Sequence, residues 1–363
     1  MLAHIILSLV CVFSSLFCSL SNVNSDGLKK VLYFNALLIF FFLALRYDFG
    51  NDYLGYYEMY NNIKDGGVNA LGDRVEYGWG WLNVIFSGLS FYWMYAFIAL
   101  FHVSSLVYLI EKYCPPPAYW LALFIYLCFP DNMLIGLSGI RQSIAMTFFL
   151  LSIDSILDKK YVRYFVFSML GISFHSSMIL IVIPVLLIIF FKNNKIFYIF
   201  GCFSLFFLIV FNNYILSYMS EYFFNSFEKY QVYQEGHDAK FGSGLSLIFN
   251  LFFLISILYV IPTVKCFKKA VILKIASLSY FLLPLSWGIG IFVRFIFYFE
   301  QLLVIAIPIV YLSLKSNYLK FLYLFVVIFY ILYLYLNFFF MDIWVKKFFE
   351  YNTIIPLVLD YLF

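Results

Sequence analysis

Charge is scarce in this chain. Only 12% of its 363 residues are Asp, Glu, Lys or Arg, where a soluble domain carries about one-quarter. With 65% hydrophobic residues and a mean hydropathy of +0.95, there is too little polar surface to face water all round, so lipid must supply most of the solvent. The shortage excludes a cytosolic enzyme, a secreted disulfide scaffold and a nucleic-acid-binding domain. The net charge is only +4 and the basic residues are scattered, so no basic nucleic-acid surface is formed. Metal and redox motifs are missing too. The six cysteines form no C-x-x-C pair and mostly sit in apolar runs, as small buried hydrophobes do. No G-x-x-x-x-G-K-[ST] is present, which excludes ATP-driven transport within this chain. No Lys or Arg precedes or interrupts the apolar run Met1–Leu20, so a retained first span is expected rather than a cleaved signal peptide.

What the chain does have is apolar runs of membrane-crossing length, about 20 residues each. Spans are expected near 2–20, 31–45, 80–110, 118–136, 140–156, 161–174, 177–191, 196–214, 244–262, 271–287, 293–314 and 318–340. The fold class is therefore an all-α polytopic membrane protein of about twelve transmembrane helices, a single domain over 1–363. The long 80–110 run reads as a short interfacial helix from Trp79 to Leu89 followed by the span proper. Fourteen of the 23 Lys and Arg residues fall on one set of connections: Lys29, Lys30, Lys112, Lys159, Lys160, Arg163, Lys192, Lys195, Lys265, Lys268, Lys269, Lys274, Lys315 and Lys320. These loops are assigned to the cytoplasm. The two longer polar stretches, 46–78 and 212–243, then face outward. Lys346 and Lys347 fall outside as well if the span count is even, against the charge bias.

Ionisable residues at membrane depth are expensive and carry a functional expectation. Four places stand out. In Arg46-Tyr47-Asp48-Phe49-Gly50-Asn51-Asp52-Tyr53-Leu54-Gly55-Tyr56-Tyr57, an arginine leaves the second span on the outer side among carboxylates and tyrosines. It is either a cation snorkelling at a helix C-terminus or part of a sugar site, where ring faces stack on pyranose C–H faces. Asp73, Arg74, Glu76 and Trp79 close the same segment. In Ser138-Gly139-Ile140-Arg141-Gln142-Ser143, an arginine opens the fifth span. Its guanidinium and the free N–H groups there make an anion site, whereas a merely structural arginine would oppose the macrodipole. In Phe174-His175-Ser176-Ser177, a histidine sits among hydroxyls at the outer edge as base, phosphate donor or structural residue. His102 lies within a span without such neighbours, and His4 and His237 look ordinary. Arg294 lies in an almost wholly apolar run with no acid at i±3 or i±4. It needs a partner from elsewhere, either Asp48 or Asp52 or an anionic ligand. On the charge-derived topology Arg46, Arg141, His175 and Arg294 reach one outer membrane edge, which fits an amphiphile with an anionic head such as a lipid diphosphate.

Taken together, L-R-Y-D-F-G-N-D-Y-x-x-Y-Y, S-G-I-R-Q-S-I-A, F-H-S-S and V-R-F resemble the EpsG family of Wzy-like polysaccharide polymerases, in the expected order over most of the chain. The resemblance implies a GT-C-like glycosyltransferase of the bacterial inner membrane with its active site toward the periplasm. Its partners would be undecaprenyl-diphosphate-linked oligosaccharides as donor and acceptor, the bilayer, and a separate protein that sets chain length, with no nucleic acid. No cofactor and no metal is implied, in line with the missing D-x-D. Carried over motif by motif, the site residues are Arg46, Asp52, Arg141, Gln142, His175 and Arg294. From chemistry, Arg141 and Arg294 would hold the diphosphate, Arg46 would orient the acceptor lipid, Asp52 or His175 would be the base, and Tyr53, Tyr56 and Trp79 would be sugar platforms. The 212–243 stretch, with Glu221, Glu228, Glu235 and Asp238, would gate or select the glycan. The competing classes are an O-antigen ligase, a lipid-linked-oligosaccharide flippase or other transporter, which needs charge spread through the bilayer depth, and a membrane O-acyltransferase, whose H-x-x-x-x-D is missing here.

Overall fold

The computed structural model describes residues 1–67, 76–190, 194–211, 214, 244–287 and 292–356. Asp73, Arg74, His237, Gly288 and Gly290 lie outside these, as do Glu221, Glu228, Glu235 and Asp238. The chain divides into two compact units, 1–178 with 327–363, and 179–326.

The first unit begins with α1 (Leu2–Leu20) and α2 (Ser25–Ala44). The Asn24 side chain caps α2 by accepting the Gly27 N–H at 2.8 Å, with Asp26 in the first turn, a normal start signal for a helix. A two-residue strand β1 (Arg46–Tyr47) follows, then α3 (Tyr53–Gly66), α4 (Tyr77–Phe86) and α5 (Phe91–Tyr113). The short helix before the third span is thus present. The 46–78 stretch is less of a loop than expected, because α3 folds within it. Tyr53, Tyr56, Tyr60 and Ile63 recur on one helical face, and all four are buried as the 3.6-residue period requires.

The expected 118–136 span is broken into α6 (Tyr119–Cys128) and α7 (Met133–Ser138). Pro130 lies in the break, and proline carries no N–H to continue a helix. Then come α8 (Ile140–Leu157) and α9 (Tyr161–Phe174). In the second unit are α10 (Ile179–Phe190), α11 (Asn194–Val210), α12 (Gly244–Val260), α13 (Phe267–Phe281), α14 (Val293–Glu300) and α15 (Leu303–Ser313). The unit boundary falls inside α16 (Asn317–Phe340). The first unit then closes with α17 (Asp342–Phe348) and β2 (Asn352–Thr353).

Seven described helices are long and apolar enough to cross a membrane, or eight if α14 and α15, bent by 50°, form one span. Four more apolar helices, Pro116–Cys128, Tyr161–Phe174, Ser176–Ile189 and Asn194–Val210, are shorter. This is a multi-pass membrane protein. The outward faces are apolar, as lipid demands: Phe13, Phe17, Phe34, Phe97 and Phe325 are all exposed. By contrast α8 is 83% buried over its apolar window, against 28% for α1, so α8 is the central helix of its unit. At one end of it, Lys112 Nζ meets Asp154 at 2.6 Å and Asp158 at 2.9 Å, and Tyr113 donates to Asp154 at 2.7 Å. That cluster ties α5 to α8.

At the other end, three segments far apart in sequence interlock. β1 pairs antiparallel with β2, Arg46 opposite Thr353. Lys347 Nζ meets the Asp48 carboxylate at 2.7 Å, and the terminal ammonium of Met1 donates to the carbonyls of Phe348 and Phe349. The amino terminus, the 46–52 segment and the tail therefore share one face. The charge that Lys347 brings to that face is neutralised by Asp48. Phe49 is fully buried between Phe348 and Tyr351. The turn that buries it uses φ +47° at Asp48 and +118° at Gly50. A Cβ on Gly50 would lie 2.6 Å from the Leu137 carbonyl oxygen, so glycine is required both by φ and by close approach.

Gly50→Ala is expected to lower stability by about 1–3 kcal/mol, read as a lower unfolding temperature of the purified chain. Gly55→Ala, where no atom lies within 4 Å of the added Cβ, should leave it unchanged or slightly raised. A cysteine placed at Glu350 and one placed at Asn22, across α1 from Met1, should label with an impermeant thiol reagent from opposite sides of the membrane. Labelling from one side would refute the shared face.

Candidate active site

The interlocked end of the first unit is built on the backbone around Leu137. Arg46 is only 4% exposed. Its Nη1 donates to the Phe49 and Leu137 carbonyls, both at 2.9 Å, while the Asn51 N–H donates to Ser138 Oγ at 3.0 Å. The R-Y-D-F-G-N-D and S-G-I-R-Q motifs thus dock directly on each other. The guanidinium carbon sits 5.1 Å from the Tyr95 ring centre and 5.8 Å from that of Tyr53, which adds cation–π attraction. Burial lowers its pKa, with the phenols of Tyr95, Tyr53, Tyr351 and Tyr56 acting the other way. Arg46 is accordingly not the snorkelling cation of the simpler sequence reading. It faces inward.

Arg141, in the first turn of α8, turns to the other side. It forms an ion pair with Glu76 at the start of α4, and the neighbouring Tyr56 phenol also favours its charged form. The pair is partly shielded, with side-chain exposures of 23% and 14%. Glu76 answers the unfavourable placement of a cation at a helix N-terminus. Arg141 Nε is buried and lacks a hydrogen bond among the described residues. Gln142 beside it is buried. Asp52 is the exposed N-cap residue of α3, one turn before Tyr56. His175 ends α9, half-buried, with Nδ1 held by Ser177 Oγ at 2.9 Å. The start of α4 lies on the end of α9, since a Cβ on Gly78 would stand 2.8 Å from the Ser173 carbonyl oxygen. Arg46, Asp52, Arg141, Gln142 and His175 are therefore all carried by segments meeting at one end of this unit. Arg294 belongs to the second unit, half-buried in the first turn of α14; of the carboxylates considered for it, Asp48 is paired with Lys347.

The three aromatic residues expected as sugar platforms are core residues. Tyr53, Tyr56 and Trp79 are 1%, 5% and 0% exposed. Their rings pack on one another and on Phe91 and Tyr95, with Tyr56 and Trp79 centroids 5.0 Å apart. No pyranose can stack on them in this arrangement. Burial raises the phenol pKa values of Tyr53 and Tyr56, which keeps both as donors at neutral pH. His102 is the opposite correction. Its Nδ1 lies 2.8 Å from Thr147 Oγ1, and it lines a cavity with Arg46, Tyr126, Asn132 and Ser143. Its polar neighbours come from other helices, so its own stretch of sequence gives no sign of them. Glu76 had a signal that sequence reasoning left unused: a cation at a helix N-terminus calls for an acid, and few acids are present.

Membrane-length helices with partly shielded and buried cations gathered at one end of a compact unit define a multi-pass membrane protein with a charged terminal site. The EpsG family model matches residues 29–353, nearly the whole chain, and the protein belongs to the EpsG family. That is a Wzy-like polymerase family, which implies glycosyltransferase-type chemistry. Neither the curated proteins nor the solved structures gave a match.

A double-mutant cycle on Arg141→Met and Glu76→Gln should return a coupling of about 1–3 kcal/mol in unfolding free energy. Additive effects would refute the pairing.

Proposed function

We propose that this protein is a polysaccharide polymerase, joining undecaprenyl-diphosphate-linked oligosaccharide repeat units at the periplasmic face of the bacterial inner membrane. The observation that carries the reading is the family match over residues 29–353. The geometry supports it through Arg141, a guanidinium at a helix N-terminus that, among the described residues, is paired with one acid and keeps a buried Nε without a bond. A lipid diphosphate reaching this end would compete with Glu76 for the guanidinium, which matches phosphate oxygens in a bidentate way.

In this mechanism a sugar hydroxyl of the acceptor attacks the anomeric carbon of the donor glycan. The new glycosidic C–O bond forms as the bond to the diphosphate oxygen breaks. Undecaprenyl diphosphate leaves as an anion, stabilised by Arg141 with the N–H groups of the first turn of α8. The hydroxyl proton passes to Asp52 or His175. Asp52 is the more accessible of the two. His175 is oriented by Ser177. Arg46 acts on this site by position, holding 46–52, and so Asp52, against α7. The GT-C-like arrangement, independence from metal and a separate chain-length regulator are parts of the same proposal. The ligase reading uses the same donor and differs in the acceptor.

Deletion of the gene in its host is expected to leave a single repeat on the lipid core and remove the long ladder on a glycan gel. Arg141→Ala should fail to restore the ladder. Absence of even one repeat on the core would indicate a ligase or flippase, and an unchanged ladder would remove the glycosyltransferase reading. Loss of polymer with Asp52→Asn but not His175→Ala assigns the base to Asp52, and the reverse assigns it to His175.

A further inference from the structure

A partly open cavity of about 40 Å³ lies in the first unit, walled by α5, α6, α7 and α8 with Arg46 at its edge. Part of its polar lining is unsatisfied among the described residues. The hydroxyls of Tyr95 and Tyr126 and the Oδ1 of Asn132 are buried without a hydrogen bond among the described residues. These three side chains are 3%, 1% and 1% exposed. Arg46 uses Nη1 on two carbonyls, and no hydrogen bond from its Nε or Nη2 occurs among the described residues. Nor is any carboxylate within ion-pair distance of it there. Asp48 is held by Lys347, and Glu76 by Arg141. A buried guanidinium without a counter-charge is strongly unfavourable, and buried polar groups are normally bonded.

We infer that this cavity binds a small inorganic anion of chloride size. Three donors converge on it: the Arg46 guanidinium and the two phenols. The volume decides the class of ligand. A water needs roughly 10–15 Å³ of such space and takes up about 30 Å³ in the liquid, so a monatomic anion with a water fills the recess, while a sugar or a diphosphate would stand largely outside it. Asn132 Oδ1 is an acceptor, and the accompanying water serves it. The ion neutralises Arg46 and so secures the docking of 46–52 on Leu137. The inference rests on no part of the polymerase reading.

The test is the unfolding temperature of the purified full-length chain, titrated with sodium chloride or bromide against sodium gluconate at constant ionic strength. Chloride and bromide are expected to raise it saturably, with gluconate inert. Asn132→Asp puts a carboxylate into the same cavity and should abolish the chloride response. Tyr126→Phe keeps the ring but removes one donor, and should raise the half-saturating chloride concentration roughly tenfold. An equal response to gluconate, a chloride response unchanged in both variants, or no response to any anion would overturn the inference. A rise with inorganic phosphate or diphosphate while chloride is inert would also overturn it, and would give the site to a lipid head group or free phosphate instead.

Discussion

The Arg46 guanidinium, bridging the carbonyls of Phe49 and Leu137, is the constraint on which the charged end of the first unit depends. A cation taken out of water must find oxygen, and here the oxygens belong to two backbone segments about ninety residues apart. Satisfying the charge therefore joins the segments. Once joined, Gly50 must approach Leu137 closely, Phe49 must turn into the core, and the tail must cover it through Phe348, Tyr351 and the β1–β2 pairing. The same docking sets Asp52 at the head of α3 and places the α3 tyrosines under α4 and α8.

Around that lock Arg46 and Arg141 divide their tasks by direction. Arg46 faces the interior and acts through backbone and rings. Arg141 faces α3 and α4, where an acid and a phenol share it. An ion pair with 14–23% of its side-chain surface exposed can exchange partners in a way that a fully buried one cannot, because water reaches it. This difference in accessibility is the reason that Arg141 is proposed for the ligand-facing role and Arg46 for the positioning role. At the opposite end of α8 the fully buried Asp154 holds Lys112, Tyr108 and Tyr113, so the central helix is pinned by polar groups at both ends while its length is apolar.

Much of the helical architecture was legible because a bilayer imposes simple rules. α1, α8, α9 and α16 fall within a few residues of the apolar runs that define them, since a membrane helix must be long and apolar. The short α4 ahead of α5 was legible from the excess length of its run. α3 was missed although its tyrosines carry a helical period, because aromatic residues in a polar stretch also suit a sugar site. The break between α6 and α7 was missed because hydropathy does not register a change of direction, even with Pro130 to mark it. Within the site, Arg46, Arg141 and His175 were conspicuous as polar residues out of place. Glu76, Tyr95 and His102 became significant only through neighbours on other helices.

The sequence by itself determined that this chain lives in a membrane, roughly where its helices lie and which family it resembles. Those properties depend on composition and on short ordered motifs. The tertiary structure alone decided what each polar residue faces. It put Tyr53, Tyr56 and Trp79 in the core rather than on a binding surface, gave Arg141 an acid, set Lys347 against Asp48 and enclosed Arg46 with two phenols and an amide. The physical reason is that the fate of a buried charge depends on which groups lie within a few ångströms. In a bundle those groups come from helices whose separation in sequence carries no information about their distance in space.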